Sequence, residues 1–455
     1  MNKTSLAECY DPEHYNDLIG QVSKFLLQSY QTSLNGEGKV TTYTAADVFL
    51  QEVKHHPVNA LADVFNLLKK GSIKIHHPKY MGHQVAAPLP LAIVMDWIAA
   101  HFNNGMAVYE MGQLGSVLDK LVIEKMKDWL MLSPKADGIL TNGGSVGNLT
   151  ALLAAKSQYK RVHPPAILVS EEAHYSLVRA AQIMGIPKAQ VFFLPTDSQA
   201  RIDIEKIPEI FNKIHEQGFS PMAIIANACS TSTGSFDPIN QLADIAEEHG
   251  IWLHVDGAHA GAYSLCPELA HYTTGINRAD SIVIDFHKML LCPALATGVF
   301  YKNGDMSFYP FEQKAAYLLA DEPEWENMAM RTLECTKYMM SLKVFGLIEL
   351  YGKHIFQEFI LRQHKLTQAC ANFINNTDDF ELAIEPQANI LCFRLKNFND
   401  EFQLRLREYL LTDGEFYIVK TVFRHQTYLR CTFMNPFTTI GHFKDLIDKI
   451  RRFKN

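Results

Sequence analysis

A lysine stands between two apolar segments of this chain, at a position where a buried charge would be costly. Lys288 lies in SIVIDFHKML (281–290), which begins as a hydrophobic strand and continues into LLCPALATG. An unpaired buried ammonium group is unfavourable, so the amine either extends to water or takes part in chemistry. An apolar pocket favours the neutral amine, which is a nucleophile that forms Schiff bases. The segment therefore leaves two interpretations open, a lysine that extends to water and a reactive lysine.

Three further segments carry groups that suit an anionic, aromatic ligand. TNGGSVGN (141–148) places Gly144 and Ser145 at a predicted helix start, where backbone amides favour an anion, although its pattern is neither GxGxxG nor a Walker loop. His174 offers a ring on which a flat group could stack. Asp256 ends the strand IWLHVD, where a buried carboxylate needs a cationic partner. Taken singly, each also has a structural explanation: a glycine-rich turn, a capping or surface histidine, and a buried ion pair or helix cap.

The segment IWLHVDGAHAG (251–261) also has the spacing of a metal site. His254, Asp256 and His259 form HxDxxH, which metal ligands can adopt. No second cluster of histidine and acidic residues of comparable quality lies nearby in the sequence. A metal-dependent hydrolase is therefore kept as an alternative, as is an α/β scaffold that binds partners without a cofactor.

These residues are predicted to lie on alternating strands and helices. Over about 200 residues in the middle of the chain, short apolar strands such as GILTN, AILVS, MAIIANA, IWLHVD, SIVID and TGVFY alternate with helical segments. Such alternation indicates a mostly parallel sheet covered by helices on both faces. Ligands of open sheets bind at the carboxyl ends of the strands. The glycine-rich turn, His174, Asp256 and Lys288 each follow a different strand, so we expect one shared pocket.

Together these groups match what pyridoxal 5'-phosphate requires. That cofactor needs a lysine for its Schiff base, a cup for its phosphate, a platform for its ring and a partner for its pyridine nitrogen. Lys288, the turn at Gly144 and Ser145, His174 and Asp256 can supply these four functions. The sequence therefore predicts a pyridoxal-phosphate enzyme.

The same motifs resemble those of the group II pyridoxal-phosphate-dependent amino-acid decarboxylases, which have fold type I of the aspartate aminotransferase kind. The resemblance begins near residue 73 and rests on HHPKYMGH, TNGGSVGNLTALLAA, EEAHYSLVRAA, STSTGSFDPI, WLHVDGAHAG, DFHKMLLCP and YLRCTFMNP. It implies an α/β fold with a mostly parallel sheet flanked by helices, an N-terminal helical segment and a small α+β C-terminal domain. It also implies a carboxy-lyase that converts an L-amino acid to the amine and carbon dioxide. Because this cofactor serves several reactions, an aldehyde-forming decarboxylase or a carbon–carbon lyase stays an alternative.

The resemblance also implies roles for individual residues. Lys288 forms the Schiff base, Asp256 pairs with the pyridine nitrogen, His174 stacks on the ring, and His287 lies near the phosphate or the substrate carboxylate. The residues that it assigns to the cofactor are Gly144, Ser145, His174, Thr231, Asp256, Ala258, His287 and Lys288.

For the substrate, the resemblance points to Arg430, which would bind a carboxylate, and to His83 and Gln84, which fall where the family's side-chain pocket lies. The polar character of His83 and Gln84 favours a polar or charged substrate side chain, such as that of diaminobutyrate, glutamate or aspartate. His259 is a further residue that could face this pocket.

The chain departs from the family pattern at three places. Gly257 replaces an alanine and Phe286 a proline, and neither change removes a catalytic group. In the family, a tyrosine on a mobile loop usually protonates Cα after carbon dioxide leaves, and members with phenylalanine there release an aldehyde. The matching segment, 318–337, has no tyrosine, and Trp325 is its only aromatic residue. We predict that the product is still the amine, with His287 and Tyr317 as the best side-chain donors and Lys288 or an ordered water as others.

Composition excludes several other classes of function. The chain has 455 residues, 47% of them hydrophobic and 20% charged, which is typical of a globular protein of one to three domains. A net charge of −7 offers no basic field for nucleic acid. No apolar run reaches the roughly 18 residues of a membrane span, and the N-terminus lacks a signal-type stretch. Eight scattered cysteines without CxxC indicate reduced thiols, so a cytoplasmic location is expected.

We expect three parts along the chain: a helical segment over residues 1–85, a large cofactor-binding domain over 86–345 and a small α+β domain over 346–455. Residues 1–72 read as helices whose apolar faces need a partner surface. In the family that the motifs resemble, this segment wraps around a second subunit. A homodimer with shared active sites is therefore expected.

Overall fold

The computed structural model describes residues 5–56, 58–311 and 325–454. Its first part is helical, which confirms the prediction for the N-terminal segment. Asp11 begins the longest of these helices, because its carboxylate accepts hydrogen bonds from the amides of Glu13 and His14 and Pro12 fits the first helical position. The helices are α1 (Leu6–Cys9), α2 (Pro12–Leu34), α3 (Ala46–His55) and α4 (Leu61–Gly71).

The middle of the chain forms a mixed sheet in the order β1-β7-β6-β5-β4-β2-β3. Strand β7 runs antiparallel to β1 and β6, and the other pairs are parallel. The central strands are buried along their whole length and are mostly apolar, because both faces of the sheet are covered. The strands are β1 (Asp137–Thr141), β2 (Pro165–Ser170), β3 (Val191–Leu194), β4 (Ser220–Asn227), β5 (Trp252–Asp256), β6 (Ser281–Asp285) and β7 (Thr297–Tyr301).

Helices alternate with these strands and cover the sheet. In α10 the predicted apolar face of Ile239, Leu242, Ala243 and Ala246 is buried, and Gly250 ends the helix in the left-handed conformation. The alternation confirms the predicted α/β architecture. The helices are α5 (Pro90–Phe102), α6 (Tyr109–Trp129), α7 (Gly144–Gln158), α8 (Tyr175–Ile183), α9 (Ile207–Glu216) and α10 (Ile239–His249).

A second, antiparallel sheet follows in the order β10-β11-β9-β8 and confirms the small α+β part. Its strands are β8 (Phe380–Leu382), β9 (Ile390–Leu395), β10 (Val419–Phe423) and β11 (Gln426–Thr432). Its helices are α11 (Ser341–Asn375), α12 (Asp400–Asp413) and α13 (Ile440–Lys454). Helix α11 crosses the predicted domain boundary at residue 345 and bends at Gly352, so that boundary stays a prediction.

Two buried cations connect the segment before α11 to the first strand. Arg331 lies 3.0 Å from Asp137 in β1, and Lys337 lies 2.7 Å from Asp119 in α6. Lys337 therefore fixes this segment to α6, and Arg331 fixes it to β1. Among the described helices, none has the length and apolar character needed to cross a lipid bilayer.

Candidate active site

A cavity of about 300 Å³ lies at the carboxyl ends of β1, β4, β5 and β6, where the sheet topology predicts a ligand. It brings together the residues that the sequence analysis assigned to the cofactor. These are Gly144, Ser145, His174, Thr231, Asp256, Ala258, His287 and Lys288. Residues that are far apart in the chain therefore share one pocket.

Lys288 is held at the cavity by a carboxylate. Its Nζ lies 2.9 Å from Oδ2 of Asp285, which is the last residue of β6 and is buried. Burial acts to lower the pKa of the Lys288 amine, but Asp285 and then Asp256 raise it above its ordinary value. Asp285 has two more neighbours, since Thr297 donates to Oδ1 at 2.5 Å and Nε2 of His287 lies 3.5 Å from Oδ2. If the Lys288 amine moves away, the Asp285 carboxylate therefore still has Thr297 and His287 as neighbours.

The start of α7 forms a cradle that favours glycine. Gly143 precedes the helix with a φ of 92°, a value that favours glycine. A Cβ atom on Gly144 would lie 3.1 Å from Oδ1 of Asp285 and 3.2 Å from Cβ of Ala258. The helix N-terminus at Gly144 and Ser145 thus lies open at the cavity, and such a terminus favours an anion.

His174 and Asp256 line the same cavity, and each has a hydrogen-bond partner of its own. His174 precedes α8, and its Nδ1 lies 2.8 Å from Oγ of Ser176. Burial lowers the pKa of His174, although the nearby Asp256 acts in the opposite direction. Oδ2 of Asp256 accepts a hydrogen bond from Nδ2 of Asn148 at 2.9 Å, and its Oδ1 accepts one from the amide of Ala258 at 3.2 Å.

The HxDxxH residues do not form a metal site. Both ring nitrogens of His254 are engaged, with Ser281 at 2.8 Å and Asn148 at 3.0 Å. His259 faces the cavity as the sequence suggested, but its Nε2 lies 2.7 Å from Asn389. Burial, with Lys288 as a second cause, lowers the pKa of His259 to about 3. Within residues 5–56, 58–311 and 325–454, no group of three metal-ligating side chains is placed to hold an ion.

The predicted substrate residues lie beside this cavity rather than in its lining. Arg430 donates to the backbone oxygen of Thr231 at 2.5 Å, which places it next to a lining residue. Burial lowers the pKa of His83, and the charges of Arg430 and Arg407 lower it further. Gln84 follows His83, and its Nε2 is buried with no hydrogen-bond partner among the residues described. Tyr317 lies outside the described residues.

Sequence reasoning missed several residues that organise the pocket, including Asp285, Asn148, Ser176 and Thr297. Asp285 stands in the same short segment as Lys288, so the separation of three residues was a usable signal. Asn148 is one helical turn after Gly144, and that spacing places both on one face of α7. No comparable pattern in the sequence marks Ser176 or Thr297.

Comparison with known proteins identifies the family. The model of the family described as pyridoxal-dependent decarboxylase conserved domain matches residues 45–396. The chain belongs to this family. It is a pyridoxal-phosphate-dependent amino-acid decarboxylase, and therefore a carboxy-lyase. The resemblance on which the sequence analysis relied is confirmed, and so is the cofactor.

The relatives of this decarboxylase differ in the substrates that they are named for. It is 24% identical to L-2,4-diaminobutyrate decarboxylase of Acinetobacter baumannii, over 86% of this chain and 82% of the relative. It is 25% identical to aromatic-L-amino-acid decarboxylase of Bacillus atrophaeus, over 83% of this chain and 81% of the relative. The crystal structure of Oryza sativa TDC with PLP and tryptamine matches with a TM-score of 0.89, 20% identity and 99% of each chain. That likeness confirms fold type I.

The residues around the cavity fit pyridoxal phosphate. A glycine cradle at a helix N-terminus suits a phosphate, and a lysine amine lies in the same cavity. A buried carboxylate can accept a hydrogen bond from a protonated pyridine nitrogen, and Asp256 is 7% exposed where it meets the cavity. The decarboxylase therefore has groups on this chain for each end of the cofactor.

Proposed function

We propose that this decarboxylase converts an L-amino acid with a polar or charged side chain to the corresponding amine and carbon dioxide. The observation that carries the proposal is the single cavity in which Lys288, Asp256, His174 and the cradle at Gly144 meet. The chemistry that pyridoxal phosphate supplies is an aldehyde for the substrate amine and an electron-accepting pyridine ring.

Each residue of the cavity has a proposed task. Lys288 binds the cofactor covalently through its amine. Asp256 holds a proton at the pyridine nitrogen, because a buried carboxylate stabilises the positive charge there. His174 packs against one face of the ring. Gly144 and Ser145 bind the phosphate through the amides at the start of α7, with Thr231, Ala258 and His287 lining the remaining walls.

Substrate orientation decides which bond breaks, and we propose Arg430 for that task. A guanidinium group binds a carboxylate with two parallel hydrogen bonds. Nε of Arg430 is buried without a partner among the described residues, so the side chain has a donor to spare. The positive charges of Arg430 and Arg407 act on His83, which supports a polar environment for the substrate side chain.

A screen of amino acids for release of carbon dioxide tests the substrate class. Diaminobutyrate, aspartate, glutamate and tryptophan would be compared, with Lys288→Ala as the blank. We expect turnover of one of the polar or charged substrates. Turnover of tryptophan alone would contradict the proposal, and turnover of none by a yellow holoenzyme would direct the search to other amino acids.

The product is the second point to test, because the reaction must end with a proton at Cα. His287 lines the cavity and is one candidate for the donor of this proton. Tyr317, which lies outside the described residues, is the other side-chain candidate. We propose amine as the product, with an aldehyde-forming reaction or a carbon–carbon lyase as the alternatives. Oxygen uptake, hydrogen peroxide and amine would be followed together during turnover. Stoichiometric oxygen use with little amine would identify an aldehyde synthase.

We also propose that the decarboxylase is a homodimer of the cytoplasm. Helix α5 exposes Val94, Trp97, Ile98 and Phe102, which is an apolar surface suited to a second copy. All eight cysteines lie in the described part and are free thiols, which suits a reducing compartment. Sedimentation tests the assembly, and a fully active monomer would contradict it.

A further inference from the structure

Asn148 contacts two residues that line the proposed cofactor site, Asp256 and Ser176, and also His254. It lies in α7, one turn after Gly144, and is 1% exposed. Its amide nitrogen lies 2.9 Å from Oδ2 of Asp256 and 3.3 Å from Oγ of Ser176. Its amide oxygen lies 3.0 Å from Nε2 of His254. All of the polar atoms of this amide therefore have partners.

The carboxylate of Asp256 fixes the direction of these hydrogen bonds. An ionised carboxylate only accepts, so the nitrogen of Asn148 must face it and the oxygen must face His254. His254 then donates from Nε2, and its Nδ1 accepts from Oγ of Ser281 at 2.8 Å. Ser281 in turn accepts the indole hydrogen of Trp252 at 2.8 Å. These hydrogen bonds all donate in one direction, from Trp252 towards Asp256. A rotated amide would place the oxygen of Asn148 against the carboxylate of Asp256, and both are acceptors.

A second branch leads from the same amide to His174. Oγ of Ser176 accepts from Asn148, so its own hydrogen is free to point to Nδ1 of His174 at 2.8 Å. The backbone amide of Ser176 also points to this Nδ1, at 3.3 Å. Nδ1 is therefore an acceptor, and the hydrogen of the neutral ring lies on Nε2.

We propose that Asn148 is the positioning residue of the cofactor site: its amide, oriented by His254, holds the carboxylate of Asp256 and, through Ser176, fixes the tautomer of His174. The inference rests on the proposed roles of Asp256 and His174. One amide then couples the group at the edge of the cofactor ring to the group on its face.

The charges around this network support a neutral His254. Burial lowers the pKa of His254 to about 4, although Asp256 acts to raise it. His254 therefore orients the amide without adding a charge at neutral pH. Outside the network, Asp256 also acts on the pKa of Lys288 and of Cys229, and it raises both. Asn148→Leu, His254→Phe and His254→Gln leave both of these groups in place.

The test compares variants along the network with a matched control on the same helix. Asn148→Leu removes the branch point and His254→Phe removes the donor that orients it, whereas His254→Gln keeps a donor near the position of Nε2. Thr150→Val is the control, because Thr150 is also buried in α7 and its hydroxyl donates only to the oxygen of Val146. Asp256→Asn tests the proposed function itself.

Three quantities would be measured for each variant: the dissociation constant of pyridoxal phosphate for the apoenzyme, the pH midpoint of the visible absorption of the holoenzyme, and kcat and KM separately. We expect Asn148→Leu to weaken cofactor binding at least about tenfold and to shift the midpoint, since it loses two hydrogen bonds that orient charged or stacking groups. His254→Phe should weaken cofactor binding by about three- to tenfold, and His254→Gln should restore most of the lost affinity. In each case kcat should fall more than KM changes.

The outcomes separate the inference from the function on which it rests. If Asp256→Asn alters neither affinity nor absorption, the proposed role of Asp256 fails and the inference fails with it. If Asp256→Asn has its effect but Asn148→Leu and His254→Phe match Thr150→Val, only the inference is overturned. Thermal unfolding of each apoenzyme identifies a variant that does not fold. Should Asn148→Leu be such a variant, the difference between His254→Phe and His254→Gln decides.

Discussion

Two of the lysine–aspartate pairs in the described part of this decarboxylase have a fully buried carboxylate, and one of these two lies at a cavity. Lys288 is 2.9 Å from Asp285, and Lys337 is 2.7 Å from Asp119. The side chain of Lys337 is 1% exposed, whereas that of Lys288 is 20% exposed because it borders the pocket. We call Lys337–Asp119 the closed pair, because it is buried away from the cavity, and Lys288–Asp285 the open pair, because it borders the cavity.

The closed pair is complete in itself. Lys337 also donates to the backbone oxygen of Leu140 at 2.7 Å, and Asp119 also accepts from the amide of Leu140 at 3.2 Å. Neither partner could move without leaving a buried polar group unmatched. At the open pair, Asp285 keeps Thr297 and His287 as neighbours when the amine leaves. The surroundings of a lysine, rather than its burial alone, thus decide whether it can react.

Removal of Lys288 should give the largest effect on turnover. We expect Lys288→Ala to release no detectable carbon dioxide and to retain no cofactor after reduction with hydride, because the amine that binds the aldehyde is gone. Mass spectrometry of the reduced protein checks this. Retention of full activity would remove Lys288 from the mechanism.

Removal of Asp256, which forms no ion pair with a lysine in the described part of the chain, should give the second-largest effect on turnover. We expect Asp256→Ala to lower kcat/KM by several orders of magnitude, because the proton at the pyridine nitrogen loses its buried counter-charge. Steady-state kinetics at saturating cofactor measure this loss. An effect below about tenfold, roughly 1.4 kcal/mol, would mean that another group holds the ring.

Local sequence patterns were sufficient to predict the architecture. Apolar strands such as SIVID and helix faces such as that of α10 lie where their spacing places them, since each pattern reflects burial on a known number of faces. The antiparallel direction of β7 could not be read from TGVFY, because strand direction depends on the connection and not on composition. The strand β3, with the sequence VFFL, was missed for a related reason: it is short and lies at the sheet edge.

The site was predictable where a residue stands in a local motif. Lys288 and Gly144 have neighbours in sequence that mark them. Asp119 and Lys337 are 218 residues apart, so nothing local distinguishes their closed pair from the open one. The segment 318–337 was read as a loop, yet Lys337 within it is buried. Contacts between distant segments require the folded chain.

The closed pair should matter to folding and not to chemistry. We expect Lys337→Met to lower the free energy of unfolding by about 3–5 kcal/mol, because Asp119 would be left as an unpaired buried charge. Lys213→Met is the control, since Lys213 forms an exposed pair with Glu209, and it should change stability far less because solvent screens such a pair. Denaturant unfolding measures both. A smaller loss for Lys337→Met than for Lys213→Met would contradict the comparison.

The open pair should affect the pKa of the Lys288 amine rather than the stability of the fold. Burial acts to lower the pKa of Lys288, but Asp285 raises it and so favours the charged form of the amine. We expect Asp285→Asn to lower that pKa and to speed the uptake of hydride-fixable cofactor by apoenzyme at pH 7.5 by about tenfold, because more of the amine is then neutral. Thr297→Val removes a donor to Asp285 but keeps its charge, so its pH profile should stay close to that of the unaltered protein. Equal profiles for both variants would contradict this role of Asp285.

An ion cluster at the surface should give the smallest effect. Glu415 lies 2.6 Å from Lys79 and 2.7 Å from Lys449, and although burial opposes it, these lysines lower the pKa of Glu415 to about 2. A carboxylate whose pKa is depressed on folding adds stability above its unfolded pKa of about 4.5, and that stability is lost as the pH falls towards 2. Because the side chain is 38% exposed, solvent screening should limit the contribution to about 1 kcal/mol. We therefore expect Glu415→Gln to be slightly less stable in urea at pH 6, and we expect this difference to shrink as the pH falls from about 4.5 towards 2. A difference that grows as the pH falls would mean that the cluster is not electrostatic in origin.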